Sequence, residues 1–118
     1  MKLKALTNEL LKLLPNSVKE YRTPDGTRID VAVPEQGLAI ELENTYKWIN
    51  RRVLYNAVKA QRAGFKDLVI IYPFKADTIW KSWVINYVKE LGVSLRVIKP
   101  SEIEKFINLL INSGKHGK

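Results

Sequence analysis

The chain has 118 residues, 46% of them hydrophobic and 27% charged, the size and balance of one domain with a single core. Twenty Lys and Arg against twelve Asp and Glu give a formal charge of +8 and a pI near 9.8, which points to a polyanionic partner. With no cysteine and a single histidine, His116, near a Gly- and Lys-rich end, the composition excludes a disulfide framework, zinc–thiolate and iron–sulfur centres, thiol nucleophiles and histidine-based catalysis.

Leu3, Leu6, Leu10, Leu13 and Leu14 recur at helical spacing up to Pro15, which predicts an amphipathic first helix. Met1-Lys2-Leu3-Lys4 opens that pattern and not a signal peptide, and no apolar run approaches the roughly 20 residues of a membrane span. The expectation is a soluble, cytoplasmic protein without a membrane partner. Val18 to Arg22 reads as a strand, and Thr23-Pro24-Asp25-Gly26 as a tight turn.

Two alternating segments, Arg28 to Val33 and Leu38 to Glu43, joined by Pro34-Glu35-Gln36-Gly37, predict a hairpin. Ile29, Val31, Val33, Leu38, Ile40 and Leu42 are expected on one face, with Asp30, Ala32, Ala39, Glu41 and Glu43 on the other. A helix capped by Asn44 or Thr45 is expected to run to Gly64. The unbroken apolar run Leu68-Val69-Ile70-Ile71 that follows predicts a parallel strand covered on both faces. A helix near Asp77 to Leu91, a strand over Ser94 to Ile98 and a last helix opened by the capping box Ser101-Glu102-Ile103-Glu104 complete the order α-β-β-β-α-β-α-β-α. The fold class is α/β, a mixed central sheet flanked by helices, with one domain over residues 1–112 and a disordered basic tail over 113–118.

A four-residue hairpin loop sets Asp30 opposite Glu41 and Arg28 opposite Glu43. Carboxylates facing each other at that range repel and ask for a cation, and a divalent ion with oxygen preference, Mg²⁺ or Mn²⁺, suits them. The alternative reading of the same residues is a solvated hairpin face on which Arg28 bridges Glu43.

Asp30, followed eleven residues later by Glu41-Leu42-Glu43 on the next strand, with a helix before and a helix and buried strand after, resembles the PD-(D/E)XK nuclease superfamily. The likeness covers roughly Leu3 to Ile98 and includes element order. It implies a restriction-endonuclease-like core and a metal-dependent endonuclease acting on duplex or branched DNA. Asp30 and Glu41 would hold one or two Mg²⁺ ions that activate water for phosphodiester hydrolysis. Small archaeal Holliday-junction resolvases are similar in length, charge and cysteine poverty, and the richness in Lys, Arg and Ile suits a thermophile.

Two positions depart from that pattern. Ile29 stands where the family has Pro, and Glu43 stands at the lysine position. In some members Glu-x-Glu serves, and in others a lysine arrives from the following helix; Lys59, one turn beyond Tyr55, is the candidate here. The implied catalytic set is Asp30, Glu41, Glu43 and Lys59, with Glu43 and Glu9 as further candidate metal ligands. Lys47, Arg51, Arg52, Arg62 and Lys66, beside Tyr46 and Trp48, form the candidate nucleic-acid-binding surface. A catalytically degenerate nucleic-acid-binding or assembly module is the rival reading. Trp80, Trp83 and Tyr87 are expected to cover the sheet, or, if exposed, to form a homodimer contact.

Overall fold

Leucines at helical spacing wind Leu3–Leu13 into α1, which ends ahead of Pro15. In a computed structural model of the chain the described residues are 3–116, with side chains described as far as Asn112. Strands β1 (Val18–Arg22), β2 (Arg28–Val33) and β3 (Leu38–Leu42) follow as an antiparallel meander. Helix α2 (Ile49–Arg62) then crosses over to β4 (Asp67–Ile71), and α3 (Asp77–Trp80) and α4 (Val84–Glu90) lead to β5 (Ser94–Ile98). The chain closes with α5 (Ile103–His116). The five strands make one mixed sheet in the order β1-β2-β3-β4-β5, in which β3, β4 and β5 run parallel.

Two apolar cores sandwich this sheet. Leu10 and Leu14 at the first helix, with Ile103, Phe106 and Ile107 of α5, pack on Val31, Val33, Leu38, Ile40 and Val69. On the opposite face Ile49, Val53, Ala57 and Ala60 of α2, joined by Ile79, Val84 and Val88, pack on Ala39, Leu68 and Ile70. Covered on both sides, β3 and β4 are buried along almost their whole length, the environment that parallel strands between helices require.

The expected face assignment for the hairpin fails at two residues, Ile29 and Asp30, the latter turning to the α1 side. Ile29 packs in the α2-side core with Ala32, whereas Val31 and Val33 belong to the α1–α5 side. Alternation therefore reverses around Asp30. Opposite it on β1, Glu20 adopts φ +49°, a left-handed conformation of the kind that costs a non-glycine residue about 1–3 kcal/mol. Pairing skips that level: Lys19 faces Val31 and Tyr21 faces Ile29. Arg28 pairs with Arg22 and bridges Glu20 at 3.2 Å, not Glu43.

Other boundaries also shift for local reasons. Helix α2 starts at Ile49, later than Asn44 or Thr45, because Thr45 Oγ1 accepts the Trp48 N–H (3.4 Å) in a turn ahead of the helix. It stops as expected: Gly64 takes φ +85° and Phe65 N–H donates to Ala60 O at 2.9 Å. The single helix expected over Asp77 to Leu91 is broken, since Ser82 Oγ accepts the Val84 N–H at 3.2 Å in competition with helical bonding. Ile79, Val84 and Val88 cover the sheet instead of Trp80, Trp83 and Tyr87, which are 46%, 51% and 53% exposed. The last helix opens after a 3-10 turn over Pro100–Glu102 in which Glu102, not Ser101, does the capping, accepting the Lys99 N–H at 2.7 Å. The break expected at Ser113 falls inside α5, and the side chains of residues 113–118 lie outside the described residues. Among the described residues no helix is long and apolar enough to cross a membrane.

Candidate metal centre and nucleic-acid interface

The β2–β3 ladder runs from Val33 opposite Leu38 to Val31 opposite Ile40 and ends there. At the next level, where Asp30 and Glu41 were expected to pair, side chains take over from the backbone. Asp30 N–H donates to Glu41 Oε1 at 3.2 Å, and Leu42 N–H donates to Asp30 Oδ2 at 2.8 Å. Interstrand N–H groups point along the sheet, so both carboxylates turn into the gap between the two strands. Asp30 also lines a cleft of about 360 Å³ with Lys4, Thr7 and Asn8 of α1 and Lys19 and Glu20 of β1. The cleft gives this gap an opening to solvent on the α1 side.

On the other side α2 closes over it. Glu41 is 2% exposed, and Lys59 Nζ, 6% exposed, stands 2.7 Å from its Oε2. The same ammonium donates to Arg28 O at 2.5 Å. An isolated buried carboxylate costs several kcal/mol, so the lysine is what makes this burial tolerable. Burial pushes the Glu41 carboxyl up from 4.5 to about 7; the Lys59 ammonium pulls it back down, and the Asp30 carboxylate pushes it up again.

Glu43, two residues further along the same face, is also buried. Arg52 Nε donates to both of its oxygens at 3.2 and 3.1 Å, and Asn56 Nδ2 donates to Oε2 at 2.8 Å. Hydrogen bonding to Glu43 holds the Arg52 guanidinium above its ordinary value. Neither Glu41 nor Glu43 is a solvated hairpin residue. The covering helix removes both from water and supplies each with its own cation. Asn56 was not singled out by the sequence; its signal is its position one turn after Arg52 amid the alanines that pack α2 on the sheet.

Cations lie beside aromatic rings from the residues just ahead of α2 to its middle. Lys47 Nζ and Arg51 Cζ lie 5.0 and 4.8 Å from the centre of the Trp48 ring, and Arg52 Cζ and Lys59 Nζ lie 4.9 and 5.0 Å from that of Tyr55. Beside its start, Tyr46 and Phe74 meet edge to face at 5.6 Å.

Three of the expected residues sit elsewhere. Glu9 is exposed and absent from the lining of the Asp30 cleft, to which α1 turns Lys4, Thr7 and Asn8 instead. Arg62 pairs at 3.4 Å with Asp25 in the β1–β2 turn, where bonds from Thr23 and Thr27 hold the Asp25 carboxyl down at about 2. Lys66 lies beside Gly37, at the end of β3 remote from Glu41. Among the described residues no three acidic, His or Cys side chains converge; the acids brought together at this gap are Asp30 and Glu41. No protein-family model, curated protein or solved structure matches the chain.

Proposed function

We propose that the chain is a metal-dependent endonuclease that hydrolyses DNA phosphodiester bonds, on a restriction-endonuclease-like core. The observation that carries this reading is the interlocked pair Asp30 and Glu41 in a gap of the sheet, with the Lys59 ammonium 2.7 Å from Glu41, inside a chain of charge +8. A carboxyl shifted by burial and by a specific charge partner beside a cleft, as Glu41 is, marks a candidate functional site. The spacing and element order resemble those of PD-(D/E)XK nucleases, and Lys59 of the following helix supplies the cation that Glu43 cannot.

The donor set fits a hard divalent ion. Glu41 Oε1 accepts the Asp30 N–H and Oε2 lies 2.7 Å from the Lys59 ammonium, each oxygen keeping a second lone pair, and Asp30 spends Oδ2 on Leu42 N–H, keeping Oδ1. One oxygen from each acid suits Mg²⁺ or Mn²⁺, which ordinarily takes one or two carboxylates with water and phosphate oxygens completing the shell. When bound, the ion supplies Lewis acidity toward phosphate and favours deprotonation of an attacking water. Asp30 and Glu41 would hold the ion at the sheet gap. Lys59 has three N–H donors and turns one toward Arg28 O and one toward Glu41; the third remains for a phosphate oxygen whose charge grows during in-line attack. Glu43, fully engaged by Arg52 and Asn56, positions α2 over β3 and does not handle water.

The test is cleavage of plasmid and end-labelled duplex in millimolar Mg²⁺. Wild type cuts, and Glu41→Ala cuts at least about a hundredfold more slowly; an undiminished variant would overturn the mechanism. The capture of Glu43 by Arg52 and Asn56 favours one rival, a noncatalytic nucleic-acid-binding or assembly module on the same scaffold. Calorimetric titration with Mn²⁺ separates the two, because an enzyme binds the ion through Asp30 and loses it in Asp30→Asn, while the module gives no heat. Exposure of Trp80, Trp83 and Tyr87 supports a homodimer contact on α3 and α4. Sedimentation of wild type beside Trp83→Ala checks this, and a wild type that is monomeric throughout would remove it.

A further inference from the structure

We infer that the exposed side of the start of α2 is a track for an unpaired nucleic-acid strand, along which bases stack on Trp48 and Tyr55. The inference deepens the nuclease reading above by naming its substrate class, a single strand or the splayed arm of a branched one.

Trp48 and Tyr55 are 46% and 44% exposed although both are large rings. Each is bracketed by cations within about 5 Å of its centre. Trp48 immediately precedes α2 and Tyr55 lies seven residues on, so the two rings are separated by about 10 Å along the helix axis. A duplex hides the faces of its bases, so rings held out in this way gain little from it; an unpaired strand offers every base face.

Charge is arranged in the same direction. Among the described residues Lys47 and Arg51 make no ion pair, so the Trp48 end carries unspent positive charge for phosphates. At the Tyr55 end the cations are already matched, Arg52 by Glu43 and Lys59 by Glu41. A strand is therefore attracted at the helix start, and the pull fades one turn past Tyr55, where the Lys59 ammonium is already held by the buried Glu41 carboxylate.

The experiment measures fluorescence anisotropy of labelled oligothymidylate and of a blunt duplex of equal length, with the full chain in EDTA, so that binding is read without cleavage. Trp48→Ala and Tyr55→Ala should each weaken oligothymidylate binding about tenfold and change duplex binding less than twofold. Trp48→Phe should restore most of the loss, and Leu109→Ala, an exposed apolar side chain on α5, should change neither. Equal loss on both ligands, or no loss on either, overturns the track. The nuclease reading stands or falls separately: cleavage in Mg²⁺ with binding indifferent to both rings rejects the track alone, while ring-dependent binding without any cleavage rejects the nuclease alone.

Discussion

At the scale of single residues, Lys59 and Glu41 form a pair in which each makes the other's burial tolerable. Removing one partner should cost more than removing both. Lys59→Ala is expected to destabilise the protein by about 3–5 kcal/mol, because it strands a buried carboxylate, whereas Lys59→Met combined with Glu41→Leu should recover most of that loss. Urea unfolding of the two variants checks it, and a double variant no more stable than the single one would contradict it. The same carboxyl sets a pH dependence. Folding raises it from 4.5 to about 7, so across that window the folded chain keeps a proton that the unfolded chain has released. Stability from this group is complete below pH 4.5 and falls as pH rises through 7, by at most roughly 3 kcal/mol at 1.36 kcal/mol per unit. In EDTA, wild type should therefore lose stability relative to Glu41→Gln as pH rises from 4.5 to above 7. Parallel profiles would show that burial does not act on Glu41 in this way.

At the scale of elements, the site depends on α2 lying at one height over β3, and its C-terminal stop fixes that height. Gly64 has φ +85° with nothing within 4 Å of where a Cβ would stand, so Gly64→Ala tests backbone strain alone. A loss of about 1–2 kcal/mol is expected in thermal or urea unfolding; an unchanged variant would mean that the stop lies elsewhere. This end of α2 was legible in the sequence, as were β4 and β5, because glycine stops and unbroken apolar runs are local signals. The hairpin was legible in its strands and its loop but not at Asp30, where period-two reasoning assumes a regular ladder. The reversal there depends on Glu20 of β1 and on side chains replacing backbone bonds, both of them contacts between strands. The alternation of acids along β3 suggested an accessible face, yet α2 buries it, and only a sheet already assembled reveals which face receives that helix. The break between α3 and α4 rests on one serine hydroxyl competing for one N–H, a choice that helical spacing of Trp80, Trp83 and Tyr87 does not disclose.

At the scale of the whole molecule, a charge of +8 is shared between cations already spent and cations still free. Arg28, Arg52, Lys59 and Arg62 are matched within 4.0 Å by Glu20, Glu43, Glu41 and Asp25, so total charge overstates what a polyanion meets near the site. Among the described residues Lys47 and Arg51, at the start of α2, make no ion pair; Lys66 is exposed but stands at the far end of β3. Position, not number, should then govern the salt dependence of DNA binding. Each phosphate contact adds close to one unit to the slope of log K against log salt. Lys47→Ala and Arg51→Ala are each expected to flatten that slope by about one unit, whereas Lys66→Ala should leave it unchanged. Binding isotherms collected across a salt series decide the matter. If all three variants flattened the slope alike, attraction would come from the diffuse charge of the surface, and the start of α2 would lose its claim to hold a phosphate backbone.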